Sequence, residues 1–145
     1  MKNINEGKKY IRLTQNKIKE IFDEANSKYF NNEVESPVKF ELWTPVKQCV
    51  AWVRLVENKK TGKLSTRLHV SNRYKWTEEN LRNTIVHEMI HLHIKDYMVP
   101  LTFWQRIFPA LQHNKEFKEE MNYLNETYPE LNVVVKAKHM RKELK

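Results

Sequence analysis

The chain has 145 residues, of which 30% are charged and 40% are hydrophobic. That length accommodates one domain with a sizeable core. The proportions of charged and hydrophobic residues exclude a membrane protein and a disordered chain. The single cysteine, Cys49, excludes an internal disulfide and a zinc ribbon built from thiolates. Because the first ten residues contain no apolar run of signal-peptide length, we expect a soluble protein of the cytoplasm, nucleoid or nucleus that is not secreted.

The cations are unevenly distributed along the chain. There are 26 Lys and Arg against 18 Asp and Glu, which gives a net charge of +8. Residues 136–145 hold five cations and one anion, or +4, so half of the net charge lies in this segment. We predict a single domain over residues 1–135 followed by a basic C-terminal tail. The tail is either a solvated terminus or a nucleic-acid contact, with the candidate residues Lys136, Lys138, Arg141 and Lys142.

The first half of the chain predicts one helix followed by a small sheet. Residues 14–31 carry apolar side chains at three- and four-residue spacing, which is typical of an amphipathic helix. Residues 38–43, 50–56 and 64–70 have the composition and alternation of strands. Between the last two, Gly62 is expected in a turn with a positive φ. We expect an α+β fold with a three-stranded, mostly antiparallel sheet.

The second half predicts two helices separated by an aromatic segment. Thr77 is the predicted N-cap of a helix that continues to Ile94 and is apolar on most of its surface, which indicates burial. Residues 114–128 form the last predicted helix, which Pro129 ends. The segment 98–111 between them either closes the core or forms a lid or a platform for unpaired bases, through Phe103, Trp104, Ile107 and Phe108.

The sequence His87-Glu88-Met89-Ile90-His91 lies in the middle of the predicted buried helix. Imidazoles four residues apart lie on one face of a helix and can bind one metal ion, as in zinc proteases. Glu88 lies beside that face, where its carboxylate can take a proton from a water that zinc has acidified. The alternative is a pair of core histidines with ordinary partners. We predict one catalytic zinc per chain, with His87 and His91 as ligands and Glu88 as the general base.

A catalytic zinc needs a third protein ligand in addition to this pair. The candidate is His113, which lies 22 positions after His91 and just before the last predicted helix. The alternative is Glu116, since some zinc proteases use a glutamate from a downstream helix; Glu119 and Glu120 are less favoured. The remaining histidines are interpreted as structural or solvent-facing, and they are His69, His93 and His139.

Four stretches of the sequence resemble the SprT-like metallopeptidase family, namely residues 18–30, 68–71, 81–91 and 113–117. The resemblance covers about residues 14–128, and it implies a compact zincin-like α+β core with a zinc ion bound by His87, His91 and His113 and with Glu88 as the general base. The family includes the Spartan proteases, which cleave proteins crosslinked to DNA. The chain differs from many members in lacking a cysteine-rich zinc ribbon, in having Asn114 where glycine is usual, and in a longer stretch between His91 and His113.

Cations also cluster in the sequence around the predicted hairpin and before the buried helix, at Lys59, Lys60, Lys63, Arg67, Arg73 and Lys75. They form either a solvated hairpin or a ridge that faces DNA. The aromatic residues Trp43, Trp52 and Trp76 are interpreted as core or sheet packing, although an indole near a basic strand also binds single strands.

The resulting hypothesis is a monomeric zinc endopeptidase that acts on DNA-associated or DNA-crosslinked proteins, prefers single-stranded regions and does not contact membranes. One alternative is a DNA-binding module with a structural, non-catalytic zinc. Another is a dedicated regulatory protease that cuts one partner protein independently of DNA.

Overall fold

The computed structural model describes residues 9–43, 50–95 and 115–135. These residues form three helices and three strands. In chain order they are α1 (Gln15–Tyr29), β1 (Lys39–Trp43), β2 (Ala51–Glu57), β3 (Leu64–Ser71), α2 (Glu78–Ile94) and α3 (Lys115–Thr127). The predicted α+β class and the order of the elements are confirmed. The aromatic segment 98–111, His113 and the basic tail lie outside the described residues.

Helix α1 has a side-chain cap at its start and residues with positive φ just after its end. The hydroxyl of Thr14 accepts a hydrogen bond from the amide of Lys17 at 3.0 Å and so caps the first turn. The chain leaves the helix through Asn31 and Asn32, which have φ values of 51° and 60°. Asparagine tolerates this left-handed backbone better than most residues, so the exit is compatible with the sequence.

The sheet is mixed, which corrects the prediction of a mostly antiparallel one. Its strand order is β1-β3-β2, with β2 and β3 antiparallel but β1 and β3 parallel. The tight turn between β2 and β3 makes them an antiparallel pair, as predicted. Strand β1 pairs with the far side of β3 rather than with its neighbour in sequence, β2, and there it runs in the same direction as β3.

The turn between β2 and β3 has the predicted conformation. Gly62 has a φ of 70°, and its amide donates to the carbonyl of Asn58 at 2.7 Å. The side-chain oxygen of Asn58 also accepts from the amide of Lys60 at 2.9 Å. An asparagine that bonds to its own turn and a glycine with positive φ together produce a compact reversal of the chain.

The two faces of the sheet have different environments. One row across the three strands consists of Phe40, Leu68 and Val53. The ring centroid of Phe40 lies 5.4 Å from that of Phe22 in α1. Because side chains alternate along a strand, the next row, which contains Trp52, points to the other face. We call the first the helix face and the second the outer face.

Helix α2 is the central element of the core. It packs against α1, α3 and β2, and eight of its 17 residues are buried, in line with the predicted burial; these are Leu81, Thr84, Ile85, Val86, Glu88, Met89, Ile90 and Leu92. The hydroxyl of Thr77 accepts from the amide of Asn80 at 3.1 Å, which confirms the predicted N-cap. None of the helices in the described ranges is long and apolar enough to cross a membrane.

Candidate metal centre

Helix α2 places His87 and His91 side by side. Their ring centroids are 5.2 Å apart with an angle of 63° between the ring planes. Both side chains are partly exposed, although the residues around them on the helix are buried. This is the arrangement expected of an i, i+4 pair that shares one ion.

Phe117 of α3 packs against both imidazoles. Its ring centroid lies 4.9 Å from that of His87 and 4.6 Å from that of His91, and the side chain is fully buried. The contact restricts the orientations of the two histidines. It also brings the beginning of α3 next to the pair, with position 113 only four residues before Phe117 in the chain.

His87 is oriented by the backbone near the end of the described chain. Its Nδ1 lies 2.8 Å from the carbonyl oxygen of Val134. A carbonyl can only accept, so Nδ1 carries the hydrogen and Nε2 keeps the lone pair that a metal requires. Metal-binding histidines very commonly donate their second ring N–H in this way, which fixes the tautomer and the ring orientation.

The position of Val134 is determined by its neighbour. Asn125 in α3 forms two hydrogen bonds with the backbone of Val133: its amide nitrogen donates to the carbonyl, and its oxygen accepts from the N–H, both at 2.9 Å. The side chain of Val133 is buried. Asn125 therefore holds the extended segment against α2 and presents the next carbonyl to His87.

Sequence reasoning missed Asn125, although a repeated pattern was available. Asn26 in α1 forms the same pair of hydrogen bonds with Val34, at 2.9 and 3.1 Å. Both asparagines lie in the last turns of amphipathic helices and eight residues before the valine. A spacing that occurs twice after two helices is a detectable signal for an asparagine that fixes the following chain.

Glu88 is 6% exposed, far less than is usual for a glutamate. A buried carboxylate is costly unless polar groups accompany it. Glu88 is therefore not a solvated surface charge, and its role as a general base stays a prediction.

The described glutamates of α3 do not complete the site. Glu116 and Glu119 are exposed, and Glu120 contacts His93 instead. Across residues 9–43, 50–95 and 115–135, no three His, Cys, Asp or Glu side chains are grouped so that they could hold a metal. The favoured third ligand, His113, lies outside these ranges.

His93 connects three parts of the fold. Its Nδ1 contacts Oε1 of Glu120 in α3, and its Nε2 lies 3.2 Å from Oε2 of Glu33, which follows α1. Burial lowers the pKa of His93, but the hydrogen bonds and charges of the two carboxylates outweigh it, so the pKa is raised. Burial raises the pKa of Glu120, and His93 opposes that shift. The interpretation of His93 as a structural residue agrees with these contacts.

The family profile described as SprT-like matches residues 18–139, which is most of the chain. The chain belongs to the SprT-like family. This family is associated with metallopeptidase activity. No curated protein sequence matches the chain. The matched region of this SprT-like protein includes α1 from Ile18 onward, all of α2 and α3, and the His87–His91 pair.

The described cations among those proposed for DNA, which lie around β3, do not form one cluster. Lys59, Lys60 and Lys63 are exposed at the turn before β3, whereas Arg73 and Lys75 are exposed after its other end. A strand of this length separates the two groups by about 23 Å. Arg67 lies between them, within β3.

Two of the three tryptophans predicted to pack have different environments. Trp76 is 1% exposed, and its indole N–H donates to the carbonyl of Ser71 at 2.8 Å, so this residue belongs to the core. Trp52 is 42% exposed on the outer face of the sheet. The side chain of Trp43 lies outside the described part of the structure.

Proposed function

We propose that this SprT-like protein is a zinc-dependent endopeptidase, with one zinc per chain held by His87, His91 and His113 and with Glu88 as the general base. The observation that carries the proposal is the paired imidazoles of α2, one of which is tied through Nδ1 to the carbonyl of Val134. That tie leaves Nε2 of His87 as a donor of the type that zinc prefers. The position of Phe117 against both rings favours His113 as the third ligand.

In the proposed reaction, the protein supplies orientation and a proton acceptor. Zinc held by His87, His91 and His113 would supply a Lewis acid able to polarise a carbonyl and to lower the pKa of water to about 7. The carboxylate of Glu88 takes the proton from the attacking water and passes it to the leaving amine. Because Glu88 is buried, its carboxylate is held in place and shielded from bulk water, which suits a general base.

The substrate proposed for this site is a protein in extended conformation. Within the described ranges, β2 is an edge strand, and it packs beside α2. An exposed edge accepts an extended peptide by strand addition, which would align the peptide along the helix that bears the histidines. The family resemblance supports proteins associated with DNA, or crosslinked to it, as the substrates.

Replacing Glu88 by glutamine tests the mechanism. Glu88→Gln keeps the shape of the side chain, so we expect full zinc content, measured by atomic emission, with cleavage of an unfolded protein reduced to about 1% or less. Glu79→Gln, an exposed carboxylate in the first turn of the same helix, is the matched control and should retain activity. Undiminished cleavage by zinc-loaded Glu88→Gln would refute the mechanism.

The same assay separates the alternatives. Cleavage measured with and without single-stranded DNA, on a free protein and on a DNA-crosslinked one, distinguishes a DNA-dependent protease from a regulatory protease. Absence of cleavage on every substrate, at full zinc content, would favour a binding module with a structural metal. The buried Glu88 beside the histidine pair argues against that module, since a structural site needs no base.

A further inference from the structure

Residues 131–134, which follow α3, lie between α2 and α3 with the alternation of a strand. The side chains of Leu131 and Val133 are buried, at 5% and 2% exposure, whereas Asn132 is exposed. The backbone polar groups alternate as well. Both groups of Val133 bond to Asn125 in α3, whereas the N–H of Asn132 bonds to α2. We call these four residues the docked segment.

Two side chains one turn apart on α2 hold the docked segment. The side-chain oxygen of Asn83 accepts a hydrogen bond from the amide of Asn132 at 3.0 Å. Nδ1 of His87 donates to the carbonyl of Val134 at 2.8 Å. Four residues of helix rise by about 6 Å, and two residues of extended chain cover about 6.7 Å. Because these two distances nearly match, Asn83 and His87 meet alternate residues of the segment.

Burial alone does not fix the position of the docked segment along α2. A shift by one residue would turn its buried side chains outward, because neighbouring side chains of an extended chain point in opposite directions. A shift by two residues would keep apolar side chains buried, since Val133 would replace Leu131 and Val135 would replace Val133. That shift would bring a different carbonyl to His87. Hydrogen bonds at defined backbone positions distinguish the two arrangements.

We propose that Asn83 is a positioning residue of the metal centre, which fixes the docked segment along α2 so that the carbonyl of Val134 meets Nδ1 of His87. The inference rests on the proposed function, because the orientation of His87 matters most if this residue is a zinc ligand. Asn125 holds the segment from the α3 side. Asn83 lies on the same helix as His87, one turn earlier, so it ties the position of the segment to the histidine that the segment orients.

The first test uses the zinc-free full chain and the ring nitrogens of His87. At about pH 8 the imidazole is neutral, and long-range proton–nitrogen NMR should show its Nδ1–H form. Asn83→Ala removes the acceptor for Asn132, so a population of the Nε2–H form should appear. Asn83→Asp keeps an acceptor oxygen and should restore the parental spectrum.

Thr14→Ala is the matched control for this test. Thr14 also accepts one backbone N–H at 3.0 Å, but it does so at the start of α1 and away from His87. Its removal should leave the His87 spectrum unchanged, and circular dichroism checks that each variant is folded. Identical His87 spectra in Asn83→Ala and in the parent would overturn the proposal.

The second test measures zinc affinity by competition with a chromogenic chelator. Direct outer-shell partners of metal ligands are worth tenfold or more, and Asn83 acts through one of them, so Asn83→Ala should weaken zinc binding about threefold to fivefold. Thr14→Ala should stay within about twofold of the parent. An equal loss of affinity in the two variants would indicate general destabilisation and would overturn the proposal.

The coupling between zinc and the docked segment gives a third readout. Because coupling is reciprocal, zinc should slow amide hydrogen exchange at Val133, and the slowing should be smaller in Asn83→Ala. Equal slowing in the two proteins would contradict the role of Asn83. The NMR test needs no metal, so it still decides the role of Asn83 if the parent binds no zinc and the proposed function fails. Unchanged His87 spectra in a parent that binds zinc and cleaves protein would refute only the role of Asn83.

Discussion

The imidazole of His87 donates a hydrogen bond to the backbone carbonyl of Val134, 2.8 Å away and 47 residues later in the chain. The bond connects the proposed metal site to the extended segment that follows α3. Because ligands held in one tautomer bind metal more tightly, residues that position this segment should affect zinc affinity without touching the ion.

The effect of the extended segment on zinc affinity can be measured by replacing Asn125, which holds that segment. Asn125→Ala removes both hydrogen bonds to Val133 and should weaken zinc affinity about tenfold, toward the lower end of the usual effect of second ligand shells. Asn26→Ala removes the equivalent pair of bonds to Val34 and is the matched control. Competition with a chromogenic chelator gives both affinities. If the two variants lose zinc affinity equally, the effect is general destabilisation rather than positioning of His87.

The third ligand is tested by zinc content. We expect one zinc per chain, a large loss in His91→Ala and His113→Ala, and full retention in Glu116→Ala, since Glu116 is exposed and outside any three-residue group in the described ranges. Zinc affinity should also fall at acid pH, because the imidazoles must be neutral to bind the metal. A His113→Ala protein with full zinc, together with a zinc-free Glu116→Ala protein, would assign the ligand to the glutamate instead.

Because of Glu130, the free energy of unfolding should depend on pH in the acid range. The hydrogen bond from Lys28, 2.5 Å away, together with other polar contacts that include the hydroxyl of Tyr29, lowers the pKa of Glu130 from 4.5 to about 2. The folded state therefore holds this proton less tightly than the unfolded state does. The resulting stabilisation is present above about pH 4.5 and disappears as the pH falls toward 2.

Urea denaturation at several pH values measures this effect. Glu130→Gln should lower the free energy of unfolding at pH 6, and its difference from the parent should shrink steadily between pH 4.5 and the lowest pH at which both still fold. Glu126→Gln, an exposed carboxylate in α3, is the control and should show a smaller difference. A difference between Glu130→Gln and the parent that does not change with pH would contradict the assignment.

The basic tail is expected to contribute separately to nucleic-acid binding. If four or five of its cations contact phosphates, truncation after Val135 should flatten the salt slope for a single strand by about 3. Zinc content and cleavage of a short peptide should change little, because the bond from His87 to Val134 survives the truncation. Equal slopes for the full and truncated chains would identify the tail as a solvated terminus and leave binding to the cations around β3.

Local features of the sequence were enough to predict the elements and the main motif. Apolar periodicity located α1 and α2 to within a few residues, and the hydroxyl of Thr77 and the glycine at position 62 act as predicted because caps and turns depend on neighbouring residues only. The spacing of His87 and His91 predicts a shared face for the same reason: four residues make about one helical turn.

Tertiary structure decided which distant residues meet. The parallel pairing of β1 with β3 places Lys39 opposite Arg67, and the path after α3 brings Val134 to His87. It also separates Lys63 from Arg73, which are ten positions apart in sequence and appear as one basic cluster there. Strand order and the docking of an extended segment depend on burying the apolar faces of several elements at once. No local pattern in this sequence encodes the strand order, and the spacing of Asn125 and Val133 does not specify that Val134 meets His87.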